Sequence, residues 1–418
     1  MARAFPVVGD ALAFRADKLG FLLRTARKGA VVELRLGRRR TYLLSDPADI
    51  RHVLVTEEPR FPKNPRLVDV AEPRLFGEGL VAATEDEHRS KRLSLQPAFD
   101  HRRLAPFADV ISECAEELFD MWATRQIDVV EATFALAHRV RRRVLLGRAG
   151  DEIADELAAA LEARQRYINQ AFVSPLPYSD RLPSRARRAY RRAQRDLERL
   201  LFPFIHAGSR DASRLLELLI SLQLGDRRVF DEARGFLASY ELSARGLAWT
   251  LLLVADHPEV QDGLRRDADV MGYPQSVYSE ALRLYPPTWL FVRMAPEDVQ
   301  LPSGTAIPAG SRLFLCPYAS HRDSRFFPEP ECFDPGRPRP RAAYFPFGGG
   351  RHVCIGEGFV RLEAAVVLTR LAARFDLEPA SDGSVSPFPG ATLELRGRAR
   401  VRLNRRAPSG PSVSISRT

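Results

Sequence analysis

The sequence predicts a mainly α-helical fold with small β-sheets, and three observations lead there. Apolar residues recur at helical spacing over residues 103–171, 185–201 and 230–256, and again from Phe359 onward. Short segments that suit strands lie towards both ends, at residues 31–44 and 313–316. No internal repeat and no linker interrupts the 418 residues, so one large domain is expected over residues 1–404, followed by a disordered tail at 405–418 rich in Ser, Pro and Arg.

In chain order, a short helix is expected around residues 19–26, then hairpin strands at 31–36 and 41–44, which alternate and are partly β-branched or aromatic. Asp46-Pro47 caps a helix reaching about residue 55. Prolines at 59, 62, 65 and 73 make the next stretch irregular. Thr84-Glu85-Asp86-Glu87 opens a helix on which His88 and Arg92, four residues apart, share a face; alone they describe a charged surface helix. Cys114 falls on an apolar stripe of the following helical region and is expected in the core. After a break at Ser174-Pro175-Leu176-Pro177, the arginines of the helix at 185–201 read as a solvated face.

The pattern at 230–256 is that of one long helix ending at His257-Pro258. Glu280-Ala281-Leu282-Arg283 puts an acid and a base three apart on one face of a further helix, which Tyr285-Pro286-Pro287 terminates. Such a pair alone is most often a surface ion pair. Ile307-Pro308-Ala309-Gly310 is a turn before the strand at 313–316.

Hydrophobic residues make up 45% of the chain and charged residues 28%, the balance of an ordinary globular protein. The net charge of +10 would suit a nucleic acid, an anionic surface or an acidic protein. Nearly all of it is arginine, with lysine only at 18, 28, 63 and 91, and the arginines are scattered. No nucleic-acid motif accompanies them, so a solvated surface is expected and no nucleic acid partner. Cys114, Cys316, Cys332 and Cys354 form no C-x-x-C pair, zinc spacing or disulfide framework, which fits a reducing compartment. Residues 1–8 lack the apolar core of a signal peptide, and the longest apolar run, 246–255, is far short of a membrane span. A soluble cytoplasmic protein with no membrane partner is the expectation.

The most informative stretch is Phe347-Gly348-Gly349-Gly350-Arg351-His352-Val353-Cys354-Ile355-Gly356, which precedes a helical pattern. Consecutive glycines remove side-chain bulk and permit positive φ, so the backbone can lie against a flat ligand. A thiolate near backbone N–H groups and a helix start suits an anionic metal ligand. Heme iron accepts such a ligand, and thiolate ligation favours O–O cleavage. The stretch resembles the heme-binding signature of the cytochrome P450 family. The family's Phe, two glycines, basic residue, axial Cys and last Gly fall on Phe347, Gly348, Gly350, His352, Cys354 and Gly356.

The resemblance covers the chain to about residue 404 and implies the cytochrome P450 fold: a single triangular domain, α-rich with a lesser β-rich portion, binding heme b (iron protoporphyrin IX). It implies metal ligation by Cys354, propionate anchoring by His88, Arg92, Arg293 and His352, and a cofactor loop built with Phe347, Gly350 and Gly356. Phe333-Asp334-Pro335-Gly336-Arg337 resembles the stretch that adds a second arginine to a buried ion cluster, here Glu280, Arg283 and Arg337. Leu242, Leu290, Phe291 and Val292 would line the substrate pocket, the proline-rich stretch would contact substrate, and the helices around the 174–177 break would form a mobile lid. The segment between Gln261 and Glu280 is shorter than the family usually carries.

The implied chemistry is monooxygenation. Two electrons and O2 place one oxygen atom into a C–H or C=C bond of a lipophilic small molecule, and the other leaves as water. Electrons would come from an acidic ferredoxin served by a ferredoxin reductase, with Arg351 and Arg361 as contacts. The N-terminal half resembles bacterial members that oxidise terpenes or polyketides in secondary metabolism. One departure stands out. The family's distal helix carries an acid followed directly by a threonine, and the two manage protons and water on the oxygen side. Here the catalytic acid is Glu241 and the next residue is Leu242, which can neither donate a proton nor hold a water. Ser243 is rotated a further ~100° around the helix, and Ser239 stands where a glycine is usual. Proton delivery by a substrate hydroxyl and ordered water, a peroxygenase, and an isomerase or cyclase needing no reductant all stay open. So does a non-catalytic accessory role beside another biosynthetic enzyme, although that role typically goes with a broken cysteine loop.

Overall fold

The computed structural model describes residues 9–37, 39–63, 79–83, 85–122, 126–173, 184–207, 214–267, 269–381 and 383–406. In chain order these form α1 (Ala11–Ala16), α2 (Lys18–Ala26), β1 (Val31–Leu34), β2 (Thr41–Leu44), α3 (Pro47–Arg51), α4 (Glu85–Leu95), α5 (His101–Leu104), α6 (Phe107–Trp122), β3 (Gln126–Asp128), α7 (Val129–Leu146), α8 (Ala154–Val173) and α9 (Arg185–Ala207). There follow α10 (Arg214–Ser221), α11 (Asp226–Ala238), α12 (Tyr240–Ala255), α13 (Pro258–Arg266), α14 (Tyr273–Leu284), β4 (Phe291–Ala295), β5 (Val299–Gln300), β6 (Ala306–Ile307) and β7 (Ser311–Leu315). The chain ends with α15 (Pro317–Ser320), α16 (Glu357–Arg374), β8 (Phe375–Pro379), β9 (Ser386–Pro389), β10 (Leu393–Arg396) and β11 (Arg400–Arg405). Helices dominate and the sheets are small.

Two compact units result, Met1–Ala71 with Ser279–Glu357 and Glu72–Tyr278 with Gly358–Thr418. Both are discontinuous in sequence. The chain crosses from one to the other three times, at 71/72, inside α14 and just after the first residue of α16, and the last two crossings fall within helices, where no change of composition marks them.

The first unit is built on a mixed sheet ordered β1-β2-β7-β4. The β1–β2 hairpin pairs Val31 with Leu44, β2 runs parallel to β7 with Thr41 opposite Arg312, and β4 is antiparallel to β7 with Arg293 opposite Leu313. Asp46 starts α3 as expected. Its carboxylate accepts from the Ala48 N–H at 2.8 Å, Pro47 has no N–H to leave unsatisfied, and the chain winds on as a π-helical turn, His52–Thr56. Val53 and Leu54 of that turn enter a core with Leu44, Ile50, Phe61, Leu313, Leu315 and Phe345.

In the second unit α7 packs against α6 and α12, and α9 against α8. Helix α9 turns Tyr190, Ala193, Leu197, Leu200 and Leu201 inward, while Arg185, Arg188, Arg191, Arg192, Arg195 and Arg199 are exposed, the solvated face its spacing predicts. Cys114 is buried in α6, and burial pushes its thiol up to about 11. Strands β3, β11 and β8 form one antiparallel sheet, and β9 with β10 a hairpin.

Three details differ from the sequence reading. The long helix expected at 230–256 is two helices, α11 and α12, interrupted at Ser239, whose hydroxyl donates to the Phe236 carbonyl at 2.7 Å and competes with the backbone ladder. The helical region 103–171 contains the strand β3, too short to show alternation and recruited by the distant β11. Strand β11 continues through Arg405, opposite Phe375, one residue into the expected tail. Residues 64–73 of the proline-rich stretch, the 174–177 break and residues 407–418 lie outside the described residues. Among the described residues no helix is long and apolar enough to cross a membrane.

Candidate functional site

The cysteine loop lies in the first unit. Cys354 N–H donates to the Phe347 carbonyl at 3.0 Å, closing the loop on itself. Gly348 and Gly350 have φ of +79° and +63°. A Cβ on Gly350 would lie 2.0 Å from the Leu54 carbonyl oxygen, so both the left-handed backbone and the close approach of the His52–Thr56 turn require glycine there. Cys316 is buried and its thiol is pushed up by burial to about 12, whereas Cys354 is exposed, three residues before α16.

Around this loop the sequence-predicted residues take definite partners. Buried Glu58 receives His352 Nε2 at 2.8 Å and Arg351 Nε at 2.6 Å. A carboxylate of the chain therefore competes with any other anion for these two side chains. Arg293 is buried in β4 and donates from Nη1 to the Val292 carbonyl at 3.2 Å. Leu290, Phe291 and Val292 are half-buried. Strand alternation places Phe291 with Arg293 on one face of β4 and Val292 on the other, so Phe291 and Val292 do not present to the same side.

The structure brings Glu280, Arg283 and Arg337 together. Glu280 Oε1 accepts from Arg283 Nε at 3.0 Å and Arg337 Nε at 3.1 Å, and Arg339 Nη1 lies 3.5 Å from Oε2. Three guanidinium groups against one carboxylate leave positive charge to be spread over carbonyl dipoles. Arg283 donates to the carbonyls of His321, Pro330 and Cys332 at 2.8, 2.7 and 3.0 Å, and Arg337 donates to that of Pro328. His321 is held neutral, its value lowered to about 3 by burial and then by Arg283. Its Nε2 accepts the Phe345 N–H at 3.0 Å and its Nδ1 donates to the Arg283 carbonyl at 3.3 Å, which joins the cluster to the segment entering the cysteine loop.

The second unit carries the turn with the unusual leucine. Leu242 is 40% exposed, while Glu241 and Ser243 on either side are 3% and 1% exposed. Glu241 Oε1 takes Arg245 Nη2 at 2.7 Å, Asn169 Nδ2 at 3.3 Å and Thr392 Oγ1 at 3.4 Å. Ser243 Oγ accepts from Arg141 Nη2 at 3.0 Å and donates to the Tyr240 carbonyl. The accessible stripe of this turn is therefore apolar, and both polar neighbours point into the protein. On α4, His88 is buried and Arg92 follows one turn later with Nε donating to Gln96 Oε1 at 2.9 Å.

A family model, Cytochrome P450, matches residues 1–397. The chain belongs to the cytochrome P450 family. It is similar to cyclooctatin synthase of Streptomyces melanosporofaciens, 33% identical over 93% of this chain and 92% of that protein. It is also similar to pentalenene oxygenase of Streptomyces avermitilis, 29% identical over 97% of each. A solved cytochrome P450 from Thermus thermophilus superposes with a TM-score of 0.77 at 27% identity, covering 94% of this chain and 96% of that one. The chain is thus a P450 monooxygenase, an oxidoreductase whose cofactor is heme b.

The residues of this P450 fit that cofactor. An exposed sulfur on a loop stripped of side chains is the soft, anionic donor that heme iron takes, and a Cβ on Gly356 would lie 3.9 Å from that sulfur. Sequence reasoning missed Arg245, Asn169, Thr392, Glu58 and Arg339. Arg245 had a signal, since it stands four residues after Glu241. The others are brought in from distant segments and had none.

Proposed function

We propose that this P450 oxidises a lipophilic terpene of bacterial secondary metabolism, using O2 and electrons from a ferredoxin and its reductase. Cys354 would hold the iron, while His88, Arg92 and Arg293 would hold the propionates, with His352 joining them where a propionate displaces Glu58. Heme b, when bound, supplies the oxygen activation. The protein's own residues hold the cofactor, exclude water and shape the apolar surface. The observation that carries the substrate class is the exposed Leu242 between two inward-facing polar residues: it offers an incoming molecule a hydrocarbon surface. Relatives named cyclooctatin synthase, cyclooctat-9-en-7-ol 5-monooxygenase and pentalenene oxygenase support a terpene. The test is a titration of the heme-loaded protein with a panel of cyclic terpenes and terpene alcohols, read as a high-spin shift of the Soret band. Binding only of compounds outside that class would overturn the assignment.

A second reading is favoured by the commitments of Glu241 and Ser243. Leu242 between them has no group that can pass a proton, Glu241 Oε1 is taken up by Arg245, and Ser243 Oγ is taken up by Arg141. Either a substrate hydroxyl passes the proton, as the alcohol in one relative's name would allow, or the enzyme takes peroxide or rearranges its substrate without reductant. Product formation sustained by peroxide alone, with ferredoxin omitted, selects the latter.

A further inference from the structure

Arg141 lies on α7, 1% exposed, and four of its donor contacts are defined. Nη1 and Nη2 grip Glu363 bidentately at 2.9 and 3.0 Å, Nε donates to Ser239 Oγ at 3.1 Å, and Nη2 also donates to Ser243 Oγ at 3.0 Å. Its guanidinium carbon sits 4.4 Å from the centre of the Phe359 ring and 5.3 Å from that of Phe236. Glu363 and Phe359 belong to α16, Phe236 to α11 and Ser243 to α12, while Ser239 is the interruption between α11 and α12. One rigid, planar fork therefore fixes both ends of the 239–243 turn against the helix that follows the cysteine loop.

The ion pair alone would need no serines, and a helix core would be as well packed with apolar residues. The two serines instead bracket Glu241 and Leu242. Ser239 is the interruption of the helix, and its hydroxyl is oriented by Arg141 while donating to Phe236. We propose that Arg141 is a positioning residue: acting through Ser239 and Ser243, it sets the rotation of the 239–243 turn, so that Leu242 presents its side chain outward and Glu241 stays in its cage with Arg245, Asn169 and Thr392. The proposal rests on the reading of Leu242 as the substrate-side surface.

The test uses the full-length, heme-loaded chain and the double variant Ser239→Ala/Ser243→Ala, which keeps the Arg141–Glu363 ion pair intact. Two readouts are taken beside the thermal melt: hydrogen exchange of peptides covering residues 239–245, and the dissociation constant of 4-phenylimidazole, a bulky aromatic ligand of heme iron. The expected result is a modestly lowered melt, because two acceptors of a buried guanidinium are removed, with exchange about tenfold faster in that segment beyond any change elsewhere and probe affinity changed about threefold or more. Arg141→Lys, which keeps the charge but not the fork, should reproduce both changes. Unaltered exchange and unaltered probe affinity in the serine double variant overturn the proposal. Absence of the thiolate-type ferrous carbonyl band in the wild type would instead defeat the heme-ligation reading, and the exchange measurement would still decide this one.

Discussion

Glu241 Oε1 lies 2.7 Å from Arg245 Nη2, one helical turn along α12, and takes further bonds from Asn169 and Thr392. A carboxylate held in this way has its partners without any help from the neighbouring position, so what sits at 242 is free to be apolar. Leu242, exposed between the buried Glu241 and Ser243, carries no hydroxyl.

Replacing Leu242 by threonine puts a hydroxyl on the exposed stripe. The ratio of product formed to NADPH consumed should rise by about twofold to tenfold, well below the ceiling of roughly 10²–10⁴ for a positioned proton donor. If the ratio does not change, proton delivery does not run past position 242.

Gly350→Ala tests the cysteine loop. Its added methyl would meet the Leu54 carbonyl at 2.0 Å, in a backbone conformation of φ +63°. Strain and forced displacement together should cost about 1–3 kcal/mol locally, and the loop bearing Cys354 would shift. The expected outcome is a lower heme-to-protein ratio in the purified variant, measured against Gly304→Ala. Gly304 also has positive φ, but its added methyl meets no atom within 4 Å, so equal heme loss in both variants would show that close approach is not what the loop requires.

What could be read from the sequence follows a physical division. Features written in local order were legible: the Asp46 cap, the solvated arginines of α9, the glycines of the cysteine loop and the three-residue spacing of Glu280 and Arg283. Features that depend on a distant partner were not. Arg141 and Glu363 are 222 residues apart, and nothing in the α7 pattern distinguishes a buried guanidinium from the solvated ones of α9. The interruption at Ser239 escaped for a different reason: its hydroxyl turns back on the Phe236 carbonyl only three residues away, and a single serine in an apolar-periodic stretch does not announce that choice. His352 shows the converse. Its position in the motif was legible, but its carboxylate partner Glu58 was not.

Glu280→Gln should destabilise strongly. It leaves Arg283, Arg337 and Arg339 facing one another around a neutral amide, with Arg283 fully buried. Removing one partner of a buried ion pair costs about 3–5 kcal/mol. A chemical denaturation midpoint within error of wild type would show that the carbonyls of His321, Pro330 and Cys332 suffice to hold Arg283.

Glu232 on α11 gives the protein a pH-dependent stability of unusual sign. Its Oε1 accepts the Leu80 N–H at 2.9 Å, and burial, opposed by that bond and by Arg228, raises its value from 4.5 to about 7. Asp231 adds to the rise and Lys91 works against it. The folded protein therefore binds this proton more tightly than the unfolded chain. The resulting stability is complete below 4.5 and is lost as pH rises through about 7, opposite in direction to the loss of an ordinary paired carboxylate on acidification. Glutamine keeps an acceptor for Leu80 without the charge. Glu232→Gln should accordingly melt at the same temperature as wild type near pH ~4 and above it near pH ~8, with the gap opening between those values. A gap that is constant across the range would place the effect in packing rather than in the proton.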